Sequence, residues 1–317
     1  MHFLIAVNAG FRYHPAMKPV YLYGMISPST VHVLREDFSY PNANTYAEIG
    51  RTLPSIGGEA ANSAIVLSKL GVKTILDGNW INPKNEKKVK TMIGAYGIDI
   101  SRLSVKEGFG TEEVIITDGD SRTVFGNYAA FSSGPAQWNQ PSEEAIRGAP
   151  MVSIDPYFRE ESRTTARLCV KHGKPYVTVD CRHDDYLAQN AESVIVSHEL
   201  RDNAYAGRDM KTVFQEYRQS CKGLTVFTFG SDALWYARPE GGMGLFTPFR
   251  VKPVDTTGAG DSFRSGILYG LLNGWDDRKT VAFASAVAAC VCLSAPHALN
   301  APGLDLILDF MEKHRPG

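Results

Sequence analysis

The sequence predicts an α/β fold: a mostly parallel sheet covered by helices on both faces. Two observations carry the prediction. Short apolar strands at residues 151–154, 176–179, 194–196 and 225–229 alternate with helical segments near 160–172 and 210–220. That is the pattern of strands joined by helical crossovers. The 317 residues are 44% hydrophobic and 21% charged, which suits one large α/β domain, or two modest ones, with a full core.

Residues 1–16 precede the first convincing strand and are expected to be an extension outside the core fold, which runs from 17 to 317. Residues 20–25 form a short apolar strand ending at Gly24. Between 27 and 56 two half-exposed strands, 31–34 and 46–53, flank an Asn-rich turn at 40–44. This reads as a small β excursion from the main sheet. Gly57-Gly58 then opens a helix that stops at Gly71. A strand at 72–76 and a charged helix at 84–96 follow. Residues 113–117 and 123–128 make a hairpin around Asp118-Gly119-Asp120-Ser121. An antiparallel pair, 234–237 with 244–246, sits at the sheet edge. The C-terminal third is helical at 259–272, 278–293 and 304–314.

Charge and composition exclude several classes. Lys+Arg is 33 against Asp+Glu 34, which argues against a nucleic-acid binder built on a basic face. No apolar run approaches the ~20 residues of a membrane span. Residues 3–7 are too short, and lack the basic flank, for a signal-peptide core. The five cysteines, Cys169, Cys181, Cys221, Cys290 and Cys292, show no zinc spacing and no disulfide framework. They read as reduced thiols of a cytoplasmic protein.

The chemistry concentrates in Asp255-Thr256-Thr257-Gly258-Ala259-Gly260-Asp261-Ser262-Phe263, which opens onto an apolar helix. The N–H groups of a helix N-terminus bind anions, and glycine lets the backbone approach a phosphate closely. In phosphoryl transfer the N–H groups of Gly258, Ala259 and Gly260 would neutralise the travelling group, and Asp261 would accept the proton of the attacking hydroxyl. Asp261 and Ser262 also suit a helix cap, and the two roles are compatible. In a second stretch, Ile56-Gly57-Gly58-Glu59-Ala60-Ala61-Asn62, small residues admit a ligand and Asn62 offers a donor and an acceptor. Taken alone, it reads as a turn followed by an exposed helical residue. The P-loop, the dinucleotide glycine fingerprint, the zincin motif and the G-x-S-x-G elbow are all missing.

Together, in this order and at this separation, the two stretches resemble the C-terminal and N-terminal signatures of the ribokinase-like (PfkB) carbohydrate kinases. The resemblance covers the chain from about residue 20 to the end. It implies a doubly wound α/β domain with a small β-sheet lid, here residues 27–55 and 111–130, that covers the sugar and in some members makes a homodimer interface. It implies ATP-dependent phosphorylation of a hydroxyl, with Mg2+ and, in some members, K+. On matching positions, Asp261 is the catalytic base and Gly258, Ala259 and Gly260 are the anion hole. Gly57, Gly58 and Asn62 bind substrate. Thr228 and Gly230 contact nucleotide phosphates. Asp255 and Thr257 hold the monovalent cation, with residues 294–300 as the other half of its site.

The sequence also departs from the family pattern. Ser29 stands where sugar kinases of the family carry an aspartate that grips sugar hydroxyls. Asp155, at a strand end before Pro156, is a candidate for that missing carboxylate, and reads equally well as a turn residue. Glu59 follows Gly-Gly where a lysine or a small residue is usual. The magnesium-linked N-x-x-E motif becomes Ser197-His198-Glu199-Leu200, with Glu199 as the carboxylate. Arg264 reads as a helix-face residue. The departures favour a kinase for another sugar, a sugar acid or a nucleoside over a ribose or fructose kinase. Aromatic residues of the excursion (Phe38, Tyr40, Tyr46) suit stacking on a base or simple packing, so a nucleoside kinase is the alternative. A non-catalytic sugar- or nucleotide-binding relative is a third reading, against which Asp261 argues. Neither nucleic acid nor membrane is expected as a partner.

Overall fold

A computed structural model describes residues 18–108, 110–118, 121–296 and 298–314. The expected extension at 1–16 and the Gly119-Asp120 tip of the hairpin lie outside the described residues. The strands are β1 (Val20–Gly24), β2 (Ser27–Leu34), β3 (Ile49–Gly57), β4 (Thr74–Gly78), β5 (Glu113–Thr117), β6 (Arg122–Gly126), β7 (Val152–Ile154), β8 (Tyr176–Val179), β9 (Ser193–Val196), β10 (Leu224–Phe229), β11 (Asp232–Ala237) and β12 (Gly244–Phe246). The helices are α1 (Glu59–Lys69), α2 (Glu86–Gly94), α3 (Tyr128–Ser133), α4 (Glu143–Gly148), α5 (Arg159–Lys171), α6 (Tyr186–Asn190), α7 (His198–Ala204), α8 (Met210–Ser220), α9 (Ala259–Leu272), α10 (Asp277–Val291) and α11 (Leu304–Lys313).

Eight strands form one sheet in the order β12-β11-β10-β9-β8-β7-β1-β4. Pairing is parallel from β4 to β10, and β11 and β12 continue it antiparallel. β4 lies on one side of β1 and β7 on the other, so the strand order reverses at β1. Ligands of open α/β sheets bind at such a reversal, outside the carboxyl ends of the strands. Alternation along β1 divides the core. Val20 and Leu22 pack with Ile65 of α1, Ile267 of α9 and Val287 of α10. Tyr21 and Tyr23 pack on the other face, with Ala166 of α5 and Phe214 of α8. Gly266 lets α9 approach α10 closely, because a Cβ there would overlap the Ala284 backbone.

The excursion is a separate four-stranded sheet, β3-β2-β5-β6. It leaves the main sheet only two residues after β1 ends. Ser29 of β2 lies between Ser55 of β3 and Glu113 of β5, and Thr117 of β5 is paired with Arg122 of β6. β2 starts earlier than the sequence predicts, at Ser27 rather than 31, and β3 is shifted from the expected 46–53 to Ile49–Gly57, because Ser27 pairs with Gly57 and carries the ladder through residues of weak strand propensity. The short helices α3, α4, α6 and α7 are not anticipated either; five to seven residues give too few turns for a periodic signal.

Candidate active site

The two sequence stretches meet. Asn62 Nδ2 donates to Asp261 Oδ2 at 2.8 Å, and Ser63 Oγ donates to the Asp261 carbonyl at 3.2 Å. Asn62 is therefore not an exposed helical residue: it is 3% exposed, and its Oδ1 has no hydrogen-bond partner. Small neighbours make the approach possible, since Ala60, Ala61 and Ala64 are buried in α1 as it packs on α9.

The loop before α9 is built to leave space in front of it. The N-cap residue is Gly258, held at φ +72°, and it has no side chain to offer the helix. A Cβ on Gly260 would meet nothing within 4 Å. Ser262 Oγ turns back and donates to the Gly258 carbonyl at 2.8 Å. Ala259 N–H lies 3.3 Å from the Thr256 carbonyl, so within the expected anion hole it is the amide already engaged in a turn. Asp255 is buried, accepts from Thr257 N–H at 2.9 Å, and is tied through Val254 and its own N–H to the Cys292 carbonyl. Thr257 Oγ1 is buried without a partner. His297, in the segment expected to complete the cation site, lies outside the described residues.

Behind the loop stands Arg264, which the sequence places on a helix face without a partner. Its face of α9 is an interior one, and Arg264 is 0% exposed. Its guanidinium pairs with Asp155, donates to the Glu59 carbonyl, and reaches Ser63 Oγ at 2.9 and 3.1 Å. Asp155 also accepts from Met25 N–H at 2.7 Å and is itself 0% exposed. As placed, its carboxylate has no open face for a substrate; it joins the end of β1 to α9. Gly24 makes room for it, since a Cβ there would overlap the Asp155 carboxylate.

The lid adds residues that no motif announces. Glu113 is buried, receives a short hydrogen bond from Tyr128, and lies over Gly57, whose Cβ would overlap it. Ser29 is buried beside it with Oγ unpaired. Gly58 answers a backbone need: it sits at φ +88°, and a Cβ there would overlap the Met25 carbonyl. Arg122 of β6 crosses the cleft and donates to Thr256 Oγ1 at 2.7 Å. On the opposite wall Tyr157 is 36% exposed. Burial among the cleft walls raises its hydroxyl well above the ordinary range, and the charges of Glu59, Asp180, Asp155 and Asp261 add to that.

Thr228 and Gly230 lie further along the strand ends. Gly230 is at φ +64° with open space where a Cβ would stand. Arg201 of α7 donates to the Thr228 carbonyl at 3.2 Å and lies 4.2 Å from the Phe229 ring centre. Glu199, exposed in the first turn of α7, adds to the charge felt by Asp180. Burial raises the Asp180 carboxyl, and the Ser197 N–H and Oγ, at 2.7 and 2.9 Å, oppose the shift.

This donor set fits a nucleotide and its metal. The open cradle at Gly260, the orphaned Thr257 hydroxyl and the guanidinium of Arg122 suit a phosphate chain. Glu199 with Asp180 suits Mg2+, which binds through one or two carboxylates plus phosphate oxygens. Among the described residues, groups of three or more His, Cys, Asp or Glu able to hold a metal are absent, so these carboxylates make no metal cage without phosphate.

Comparison with known proteins gives the family and the fold. Residues 34–301 match the model of the pfkB family carbohydrate kinases. A 5-dehydro-2-deoxygluconokinase of Geobacillus kaustophilus (strain HTA426) is 25% identical over 292 residues, covering 83% of this chain and 86% of that protein. A nucleoside kinase of Methanocaldococcus jannaschii is 24% identical over 300 residues, covering 87% and 92%. The Arabidopsis thaliana ribokinase complexed with ribose and ATP has the same fold, with a TM-score of 0.76 at 16% identity over 93% of this chain and 99% of that one. With the family model spanning most of its length, this chain belongs to the pfkB family of carbohydrate kinases.

Proposed function

We propose that the protein is an ATP-dependent kinase that transfers the γ-phosphoryl group to a hydroxyl of a sugar or sugar derivative, in the cleft between the lid and the carboxyl ends of the strands. One observation carries the reading: the hydrogen bond from Asn62 to Asp261 joins the turn before α1 to the loop before α9. Asn62 fixes one carboxylate oxygen of Asp261, and Asp261 accepts the proton of the attacking hydroxyl. A weak base suffices, because the proton moves late in a loose transition state. The N-terminus of α9, with Gly258 and Gly260, stabilises the charge that develops on the transferred group. Thr228, Gly230 and Arg201 line the path toward the nucleotide. Arg122 holds the lid against the anion loop, which keeps water from the acceptor hydroxyl. Mg2+ held by Glu199 and Asp180 would neutralise phosphate charge, and K+ beside Asp255 and Thr257 would stiffen the loop.

The names of the two relatives span a gluconate derivative and a nucleoside, so a nucleoside acceptor stays as the second reading, favoured by Tyr157 on the cleft wall. The reading includes a cytoplasmic location, supported by five free cysteines that are all buried. Among the described residues, no helix is long and apolar enough to cross a membrane. It also includes a homodimer through the outer lid face, where Val114 and Phe125 are exposed.

The test is ADP release by the full chain over a panel of sugars and nucleosides, repeated with Asp261→Asn. Turnover is expected to fall roughly 10²–10⁴-fold, the usual size of a general-base contribution, with acceptor affinity little changed. Equal turnover removes Asp261 from its role. Binding without ADP release on any acceptor marks a non-catalytic relative.

A further inference from the structure

The acceptor end of the cleft is lined by hydrogen-bond acceptors, one of them without a donor. Glu59 follows Gly58 directly, half-buried in the first turn of α1. Its carboxyl is bonded by its own backbone N–H, and no side chain among the described residues donates to it. One turn on, buried Asn62 presents an Oδ1 with no partner. Glu113 closes the subsite over Gly57, with Tyr128 as its donor, and the Tyr128 hydroxyl also senses the charge of Glu59. Buried polar groups of this kind require partners, and the partner here has to bring donors.

The charge balance points the same way. Three carboxyls (Glu59, Asp155 and Asp261) stand around one guanidinium, that of Arg264, and a fourth, Glu113, lies over Gly57. Arg264 is fully buried and engaged by Asp155, Ser63 and the Glu59 carbonyl, so it cannot meet a ligand. Lys88 binds the Ser29 carbonyl at 2.6 Å and has Glu112 as its carboxylate neighbour. Arg122 is at the other end, on the anion loop. Burial, then the charges of Asp155 and Asp261, raise the Glu59 carboxyl well above the usual carboxylate range. A place that resists ionisation of its own carboxyl resists an incoming anion for the same reasons of desolvation and like charge.

We infer that Glu59 sets the charge of the acceptor: the subsite bounded by Glu59, Asn62, Glu113 and Asp261 takes a neutral or cationic polyol and turns away sugar acids and sugar phosphates. This rests on the kinase reading and narrows its substrate class to sugars, amino sugars and nucleosides. Vicinal hydroxyls of such an acceptor donate to Glu59 and to Asn62 Oδ1. A carboxylate or phosphate in the same place faces the carboxyls of Glu59, Glu113 and Asp261, with the Arg264 guanidinium already engaged.

The experiment is ADP release by the full chain with Mg-ATP on acceptors that keep the terminal primary hydroxyl and differ in charge at the other end: ribitol with ribonate, glucose with gluconate, glucosamine with gluconate. The neutral or cationic partner is expected to lead by roughly 10–100-fold in kcat/KM, the size of a like charge placed in a partly buried site. Glu59→Lys is expected to shrink that gap or reverse it, and Glu59→Gln to shrink it less. An anionic partner that equals or beats its neutral pair overturns the inference and leaves the kinase reading standing. Absence of ADP with every acceptor overturns the kinase reading instead. The same pairs are then compared for binding by calorimetry, where tighter binding of the acid overturns the inference independently.

Discussion

Arg264→Met removes a cation from one of the most enclosed places in the molecule. Methionine keeps about the length of the side chain and none of its donors. The change deletes the pair with Asp155 and the bonds to Ser63 and the Glu59 carbonyl, and leaves Asp155 with the Met25 N–H. Both partners of the pair are 0% exposed, so water cannot take over from the guanidinium. Removing one partner of such a pair costs about 3–5 kcal/mol, because a charge is left buried and uncompensated. For a chain of 317 residues that corresponds to a loss of roughly 4–8 °C in Tm. Thermal unfolding followed by circular dichroism measures it. The companion Asp155→Asn/Arg264→Met removes both charges and is expected to regain part of the loss, as apolar or neutral replacements of buried pairs do. Activity should follow a different course. The brace also fixes the carbonyl of Glu59 and the hydroxyl of Ser63, next to the residues that hold Asp261, so the double variant recovers stability without recovering turnover. A single variant that melts within about 2 °C of the wild type refutes the reasoning, because exposed charges behave that way and buried ones do not.

Two further outcomes follow from the same geometry. Arg122→Ala deletes an exposed arginine whose described partner is Thr256 across the cleft, so Tm should stay within about 2 °C while kcat/KM falls roughly tenfold, the size of one charge-assisted hydrogen bond; unchanged kcat/KM by ADP release removes Arg122 from lid closure. Burial pushes the Cys292 thiol up to about 11, with the Asp255 charge adding and Arg122 opposing, and Cys169, Cys221 and Cys290 up to about 12. At pH 8 their thiolate fraction is on the order of 10⁻³ or less. Native protein is therefore expected to resist a thiol reagent that labels all five cysteines in guanidinium, and rapid native labelling would contradict the packing of these helices.

The parts of the site that rest on local chemistry were legible in the sequence. The glycine loop before α9 and the Gly-Gly turn before α1 each announce a helix N-terminus with small residues, and the positions are as expected. Their partners were not legible. Asp155 and Arg264 are 109 residues apart, and nothing in either neighbourhood says that they meet. One signal was present: Arg264 follows Asp261 at i+3, which places both on one face of α9 and hence toward the same neighbour. Glu113 and Tyr128 look like ordinary members of a hairpin, because their role comes from the lid folding back over Gly57. Asp155 shows the opposite error. A carboxylate at the end of a strand beside a cleft invites a ligand role, and it became a strut because a buried cation was the nearer partner.

The bond between Asn62 and Asp261 closes a span of 199 residues. Loops of that size carry a closure entropy that grows only slowly, by about 0.6 kcal/mol per doubling, yet it must be met before the contact returns anything. Contacts so distant in sequence slow folding, because the closure entropy precedes the contact energy. On a ribosome α1 and the lid emerge early and wait for α9, which is made more than half a chain afterwards. Until then the face of α1 that will meet α9 is uncovered, with its alanines and Asn62 open to water. On the proposed mechanism, a chain released before residue 261 lacks the base and the helix N-terminus that meets Asn62, and is expected to have no kinase activity.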